Sequence, residues 1–158
     1  MKRSFAFLFV LMFLGVVCNG QAYRTSAGLR AGMPYGLTIR HFINKTNALE
    51  GIVAGTPGGF FGAVLIENEH HTGFYPGLNW YWGLGVHAGF LDTRRYKSLY
   101  SEEDFVGPVM GIDGIFGLEY TFDEIPLNIS LDVFPSVNLA GTTGWNGMNG
   151  ALSVRFIF

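Results

Sequence analysis

The stretch LNISLDVFPSVNL, residues 127–139, alternates with a period of two. Leu127, Ile129, Leu131, Val133, Val137 and Leu139 share one parity. Asn128, Ser130, Asp132, Ser136 and Asn138 share the other. Successive side chains of a strand point to opposite faces, so this is a strand with one apolar and one polar face. Pro126 and Pro135 are both expected within this strand, where proline removes a ladder donor, so a bulge or bend is expected there.

The same pattern extends in both directions. In GIDGIFGLEYTF, Ile112, Phe116, Leu118, Tyr120 and Phe122 oppose Asp113, Gly117, Glu119 and Thr121. In LNWYWGLGVHAGF, Leu78, Trp80, Trp82, Leu84, Val86 and Phe90 oppose Asn79, Gly83, Gly85, His87 and Gly89. The closing stretch ALSVRFIF sets Leu152, Val154, Phe156 and Phe158 against Ala151, Ser153 and Arg155. Earlier segments read likewise: YRTSAGLRAG, GLTIRHFI, ALEGIVAG and GFFGAVLIENE, broken at Met33-Pro34-Tyr35 and Thr56-Pro57-Gly58. Proline and glycine at those breaks are turn chemistry. The sum is about eight strands of roughly ten residues, and an even strand number is what bacterial outer-membrane barrels have. The connections NKTN and DEIP are tight, whereas DTRRYKSLYSEEDF and AGTTGWNGMNG are expected to be long loops on one side. ENEHHTGFYPG is longish for the tight side.

Composition fits this class. The 158 residues imply one domain. Charged residues make up 14%, against about 25% in ordinary globular domains. The 23 glycines and the 16% aromatic content favour strands and turns over helices. A formal net charge of -2 offers no basic patch for nucleic acid. Residues 1–22, MKRSFAFLFVLMFLGVVCNGQA, have Lys2 and Arg3 before an apolar run and then small residues, the pattern of a secretory signal peptide. Cleavage after Gly20 or Ala22 is expected, which leaves a barrel domain of residues 23–158. The single cysteine, Cys18, would depart with the leader, so no disulfide and no cysteine metal site is expected.

Alternation does not say which face is inside. A soluble lipocalin-like barrel binding an apolar ligand would turn the apolar face inward, and a membrane barrel would turn it outward. The polar face decides. A soluble exterior should be rich in Lys and Glu. After the leader the chain has two lysines, Lys45 and Lys97, both in expected turns. The polar parity is instead Gly, Ser, Asn and Thr, which suits the crowded inside of a narrow barrel. On that inward parity lie Arg24, Arg30, Arg40 and Arg155 with Glu50, Glu67, Asp113, Glu119 and Asp132. Charges in so narrow a space must pair, so a rigid polar plug is expected in preference to a proton or ion path. On the apolar parity, Tyr23, Trp80, Tyr120, Phe122 and Phe158 would meet at one rim of an up-and-down barrel. Phe60, Phe90 and Phe105 would collect at the other. Two aromatic girdles mark the two interfaces of a membrane.

In GLTIRHF, ALEGI, GLNWYWGLGVHAGF, GIDGIFGLEYTFDEIPLNISLD and ALSVRFIF, the sequence resembles small eight-stranded outer-membrane barrels of the OmpA/OmpX type. It is most similar to those of Bacteroidetes, and the resemblance covers residues 23–158. It implies a closed all-β barrel in the outer membrane with both termini in the periplasm. It also implies that Phe158, ending an alternating last strand, is the signal read by the barrel-assembly machinery. Outer-membrane lipid would surround the wall, and closure of the first strand on the last is required because an open edge in lipid is costly.

Some eight-stranded barrels are enzymes that modify lipid A, and they need His, Ser and a carboxylate at one rim. Of His41, His70, His71 and His87, none stands in a His-x-Ser pair, so no catalytic residue is expected. Glu67, Glu69, His70 and His71 are of residue types that suit zinc, but a solvated turn is the preferred reading and no metal or cofactor is expected. The loop 92–105, from Asp92 to Phe105, is the candidate binding surface. It carries Arg94, Arg95 and Lys97 before Glu102, Glu103 and Asp104. Trp145 is expected at a second loop tip.

Overall fold

The computed structural model describes residues 25–56, 58–95, 104–142 and 144–158, with backbone alone at 95 and 144–146. The expected signal peptide, Tyr23, Arg24 and Lys97 lie outside the described residues. Eight strands follow one another: β1 (Thr25–Gly32), β2 (Tyr35–Phe42), β3 (Asn47–Thr56), β4 (Gly59–His71), β5 (Leu78–Asp92), β6 (Val106–Thr121), β7 (Leu127–Ala140) and β8 (Gly144–Ile157). Each pairs antiparallel with its neighbour, and β8 closes on β1. Followed once round the sheet, the registers return to β1 ten residues out of step. An offset of that size tilts the strands by about 40° and leaves an interior that side chains can fill.

Burial alternates along every strand, and the apolar parity faces outward. Leu29, Leu37, Val53, Ile66, Leu84, Ile112 and Leu131 are exposed, while Ser26, Thr38, Ser130 and Ser153 are buried inside. The lipocalin-like reading, with its apolar interior, is thereby overturned.

Two expectations about boundaries are corrected. AGTTGWNGMNG is not a long loop, because β8 begins at Gly144 and runs through most of it. Its Gly and Asn residues hide the alternation, but Met148 still faces out and pairs with Pro135 of β7. β6 starts at Val106, directly after the expected loop 92–105, with Pro108 opposite Phe90 near the end of β5. Finally, Pro126 precedes β7 instead of lying in it. The bulge expected at Pro135 is there, but the extra residue is on β8. Pro135 faces Met148 and Val137 faces Trp145, so two β8 residues, 146 and 147, stand opposite Ser136. Gly147 takes φ 94°, a conformation glycine adopts without strain.

The two rims differ. Connections at the end bearing the termini are residues 43–46, 72–77 and 122–126. At the other end they are 33–34, 57–58, 93–105 and 141–143, so 93–105 alone is long. The far rim is also oblique. β1 and β2 have 8 residues each, whereas β5 to β8 have 14 to 16. β1 pairs with β8 from Ser26 to Gly32, opposite Ile157 to Ala151, and the earlier part of β8 rises beyond it along β7.

Candidate functional site

The candidate site is the barrel interior, built from the inward parity of all eight strands. Eight of the nine expected interior charges are described, and all eight are buried. Arg40 on β2 sits at the centre of the lower half. Its Nε lies 2.6 Å from Glu67, its Nη2 3.3 Å from Glu69, and its Nη1 donates to Glu119. Its guanidinium lies 4.7 Å from the Tyr81 ring centroid and 5.0 Å from that of Phe42, within cation–π range. Arg155 on β8 donates to Glu50 at 2.5 Å and to Ser130 at 2.9 Å, and Thr38 donates to the same Glu50 carboxylate. Arg30 on β1 and Asp132 on β7 form a two-pronged pair, with a 2.9 Å bond from Nη1 to Oδ2. Tyr81 donates its hydroxyl to Asp132 at 3.1 Å.

These pairs tie strands that are remote in sequence. Arg40–Glu119 joins β2 to β6, Arg155–Glu50 joins β8 to β3, and Tyr81–Asp132 joins β5 to β7. None of the three joins strands that are neighbours in the sheet. Fixed cross-links of this kind hold a wall from inside, and an isolated charge there would be costly. The guanidinium fork suits the role because it satisfies several acceptors at once.

Sequence reasoning missed part of the interior. Tyr81, Ile52, Leu65, Ile115 and Phe134 all point inward and form an apolar cluster with Ala54, Ala63 and Phe61. Parity alone would have placed Tyr81 with Asn79 and Gly83. The clue was easy to pass over because a lone apolar residue on a polar face breaks the pattern being sought. The interior is therefore layered. The ion pairs of Arg40 and Arg155 fill the half nearer the termini and the apolar cluster lies above them. His87 sits higher still, 2.7 Å from Asp113 and 2.9 Å from Asn138 Oδ1. Glycine makes room for the large groups: a Cβ on Gly117 would stand 2.7 Å from the Tyr81 hydroxyl and 2.8 Å from Asp132 Cβ.

The zinc alternative and the solvated-turn reading of residues 67–71 are both corrected. β4 continues to His71, so alternate side chains part company. Glu67 and Glu69 turn inward to Arg40. His70 turns outward and stacks on Trp80 at 4.6 Å, and His71 bonds to Asn79 at 2.6 Å. Among the described residues no group of three or more His, Cys, Asp or Glu could hold a metal ion.

The outer wall carries the aromatic positions. Trp80, Tyr120, Phe122 and Phe158 lie at the rim of the termini. Tyr120 meets Phe122 edge to face at 4.8 Å, and Trp80 lies 6.0 Å from Phe116. Phe60 and Phe90 face each other near the far rim. The long loop is pinned at its base, where Thr93 and Phe105 exchange backbone and hydroxyl bonds of 2.7 to 3.2 Å. Arg94 pairs locally with Asp92 at 3.1 Å. Glu102 and Glu103 are outside the described residues, as is the Trp145 side chain.

Among solved structures, the chain is similar to the N-terminal β-barrel domain of Pseudomonas aeruginosa OprF. The TM-score is 0.61 at 17% identity, over 85% of this chain and 95% of that one. The chain has the fold of an OmpA-like eight-stranded barrel. No family model and no curated protein matches it. At that identity the likeness carries the architecture and leaves the interior to be read from its own residues.

Proposed function

We propose that the protein is an integral outer-membrane barrel with a filled interior, both termini at the periplasmic rim, and a structural or surface-interaction role exercised through the loop 92–105. The observation that carries this reading is the inversion of the wall. Apolar side chains stand exposed along the outward face of each strand, while Arg40, Arg155 and Glu50 are at most 1% exposed inside. Water would penalise such a surface, and a lipid belt about 25 Å thick would not. The apolar cluster above the charges supports a plugged barrel rather than an ion path. The reading assigns no reaction to the site, because both ring nitrogens of His87 are already engaged by Asp113 and Asn138.

An epitope inserted at Lys97 and a second one inserted at Glu124, in a turn on the rim of the termini, test the orientation. In intact cells the reading expects antibody to reach the first tag and not the second. Labelling of the second tag alone would invert it.

A further inference from the structure

The rim that bears the termini continues its apolar outer wall into its turns. Each turn there presents a large apolar residue to solvent: Ile43 at 63% exposure, Phe74 at 90% with Tyr75 at 64%, and Ile125 at 45%. The three turns follow β2, β4 and β6, so they are spaced round the circumference. Phe158, itself exposed, stands where β8 ends. The turns are continuous with the girdle, since the Tyr75 ring lies 6.4 Å from Tyr120, which packs on Phe122. A Phe left in water at a turn tip forgoes roughly 1.5–3 kcal/mol of burial, and apolar turn residues have no fold-internal reason to recur at each joint.

We propose that these turns are seated in the headgroup region of the surrounding leaflet, with Ile43, Phe74, Tyr75 and Ile125 as anchors that set the depth of the barrel. The inference rests on the membrane reading above. A ring of apolar contacts with no favoured side fits a lipid plane, which meets the whole circumference at once. A protein partner would need them gathered on one side. Aromatic residues hold such an interfacial position because their faces are apolar and the tyrosine hydroxyl stays wet.

The test uses single cysteines at Phe74, Ile125, Val64 and Glu124 in a Cys18→Ser background. The protein is inserted into phosphatidylcholine–phosphatidylglycerol vesicles and labelled with a nitroxide. Collision with oxygen, which favours lipid, is compared with collision with a water-soluble nickel chelate. The label at Val64, on the outward wall of β4, reports the membrane reading itself. If 64, 74 and 125 all favour oxygen and 124 favours nickel, the turns are in the interface. Nickel-accessible labels at 74 and 125 beside an oxygen-accessible 64 overturn the inference and leave the membrane barrel standing. Labels at 74 and 125 shielded from both reagents indicate burial against a second copy of the barrel and also overturn it. A nickel-accessible label at 64 overturns the membrane reading.

Discussion

Arg40 touches three carboxylates and two aromatic rings, and its importance comes from what its removal would leave behind. Arg40→Ala would strand Glu67, Glu69 and Glu119 without their common counter-charge. Breaking a buried ion pair from one side typically costs about 3–5 kcal/mol. The expected result is a clearly lower temperature for loss of the folded band on gels of samples heated in steps. Tyr81→Phe is a gentler probe, because it deletes one hydroxyl bond to Asp132 and keeps the ring over Arg40. A cost near 1 kcal/mol is expected from urea unfolding in vesicles. Gly117→Val should be worse than its location on a strand suggests, since the added carbons collide with Tyr81 and Asp132. Fluorescence of Trp80 and Trp82, on either side of Tyr81, should report that disturbance. The charges at this scale were legible in the sequence because parity carried them to one face. Tyr81 and Phe134 were not, because an inward aromatic is explained only by the space that glycines on neighbouring strands leave for it.

At the level of the strands, alternation located all eight but misplaced two starts. The error at β8 is instructive. Residues 140–150 are Gly- and Asn-rich, a composition that ordinarily marks a loop, yet the backbone of 144–150 pairs with β7. Local composition and tertiary pairing conflict there, and pairing prevails. Likewise, the turn-like pair His70-His71 is strand because Glu67 and Glu69 are drawn to Arg40 on the inside while His70 finds Trp80 on the outside. The closing seam is the element on which the barrel depends. Ser26 to Gly32 pair with Ile157 to Ala151, and Phe158 N–H donates to the Thr25 carbonyl at 2.9 Å. Leu29→Pro places a residue with no N–H in the middle of β1, between two partners. It is expected to abolish recovery of folded barrel from outer membranes. Phe158→Ala keeps that backbone bond, so the barrels that form should be as heat-resistant as wild type. If the terminal aromatic is the assembly signal, their yield should fall, which quantitative blotting of membrane fractions would show.

The molecule as a whole is inverted, with charge locked inside and apolar side chains outside. Layering of the lumen, with ion pairs below an apolar cluster, predicts no large steady conductance in planar bilayers from the intact protein or from Arg40→Ala. The oblique far rim and the single long connection at 93–105 concentrate any surface interaction on one side of the barrel mouth. The direct test of the central claim is heat-modifiability of the protein in isolated outer membranes, run on a denaturing gel with and without boiling. A closed barrel resists the detergent until heated, so the unboiled band should migrate apart from the boiled one. A protein found in the soluble periplasmic or secreted fraction, with one band position whatever the treatment, would contradict the account.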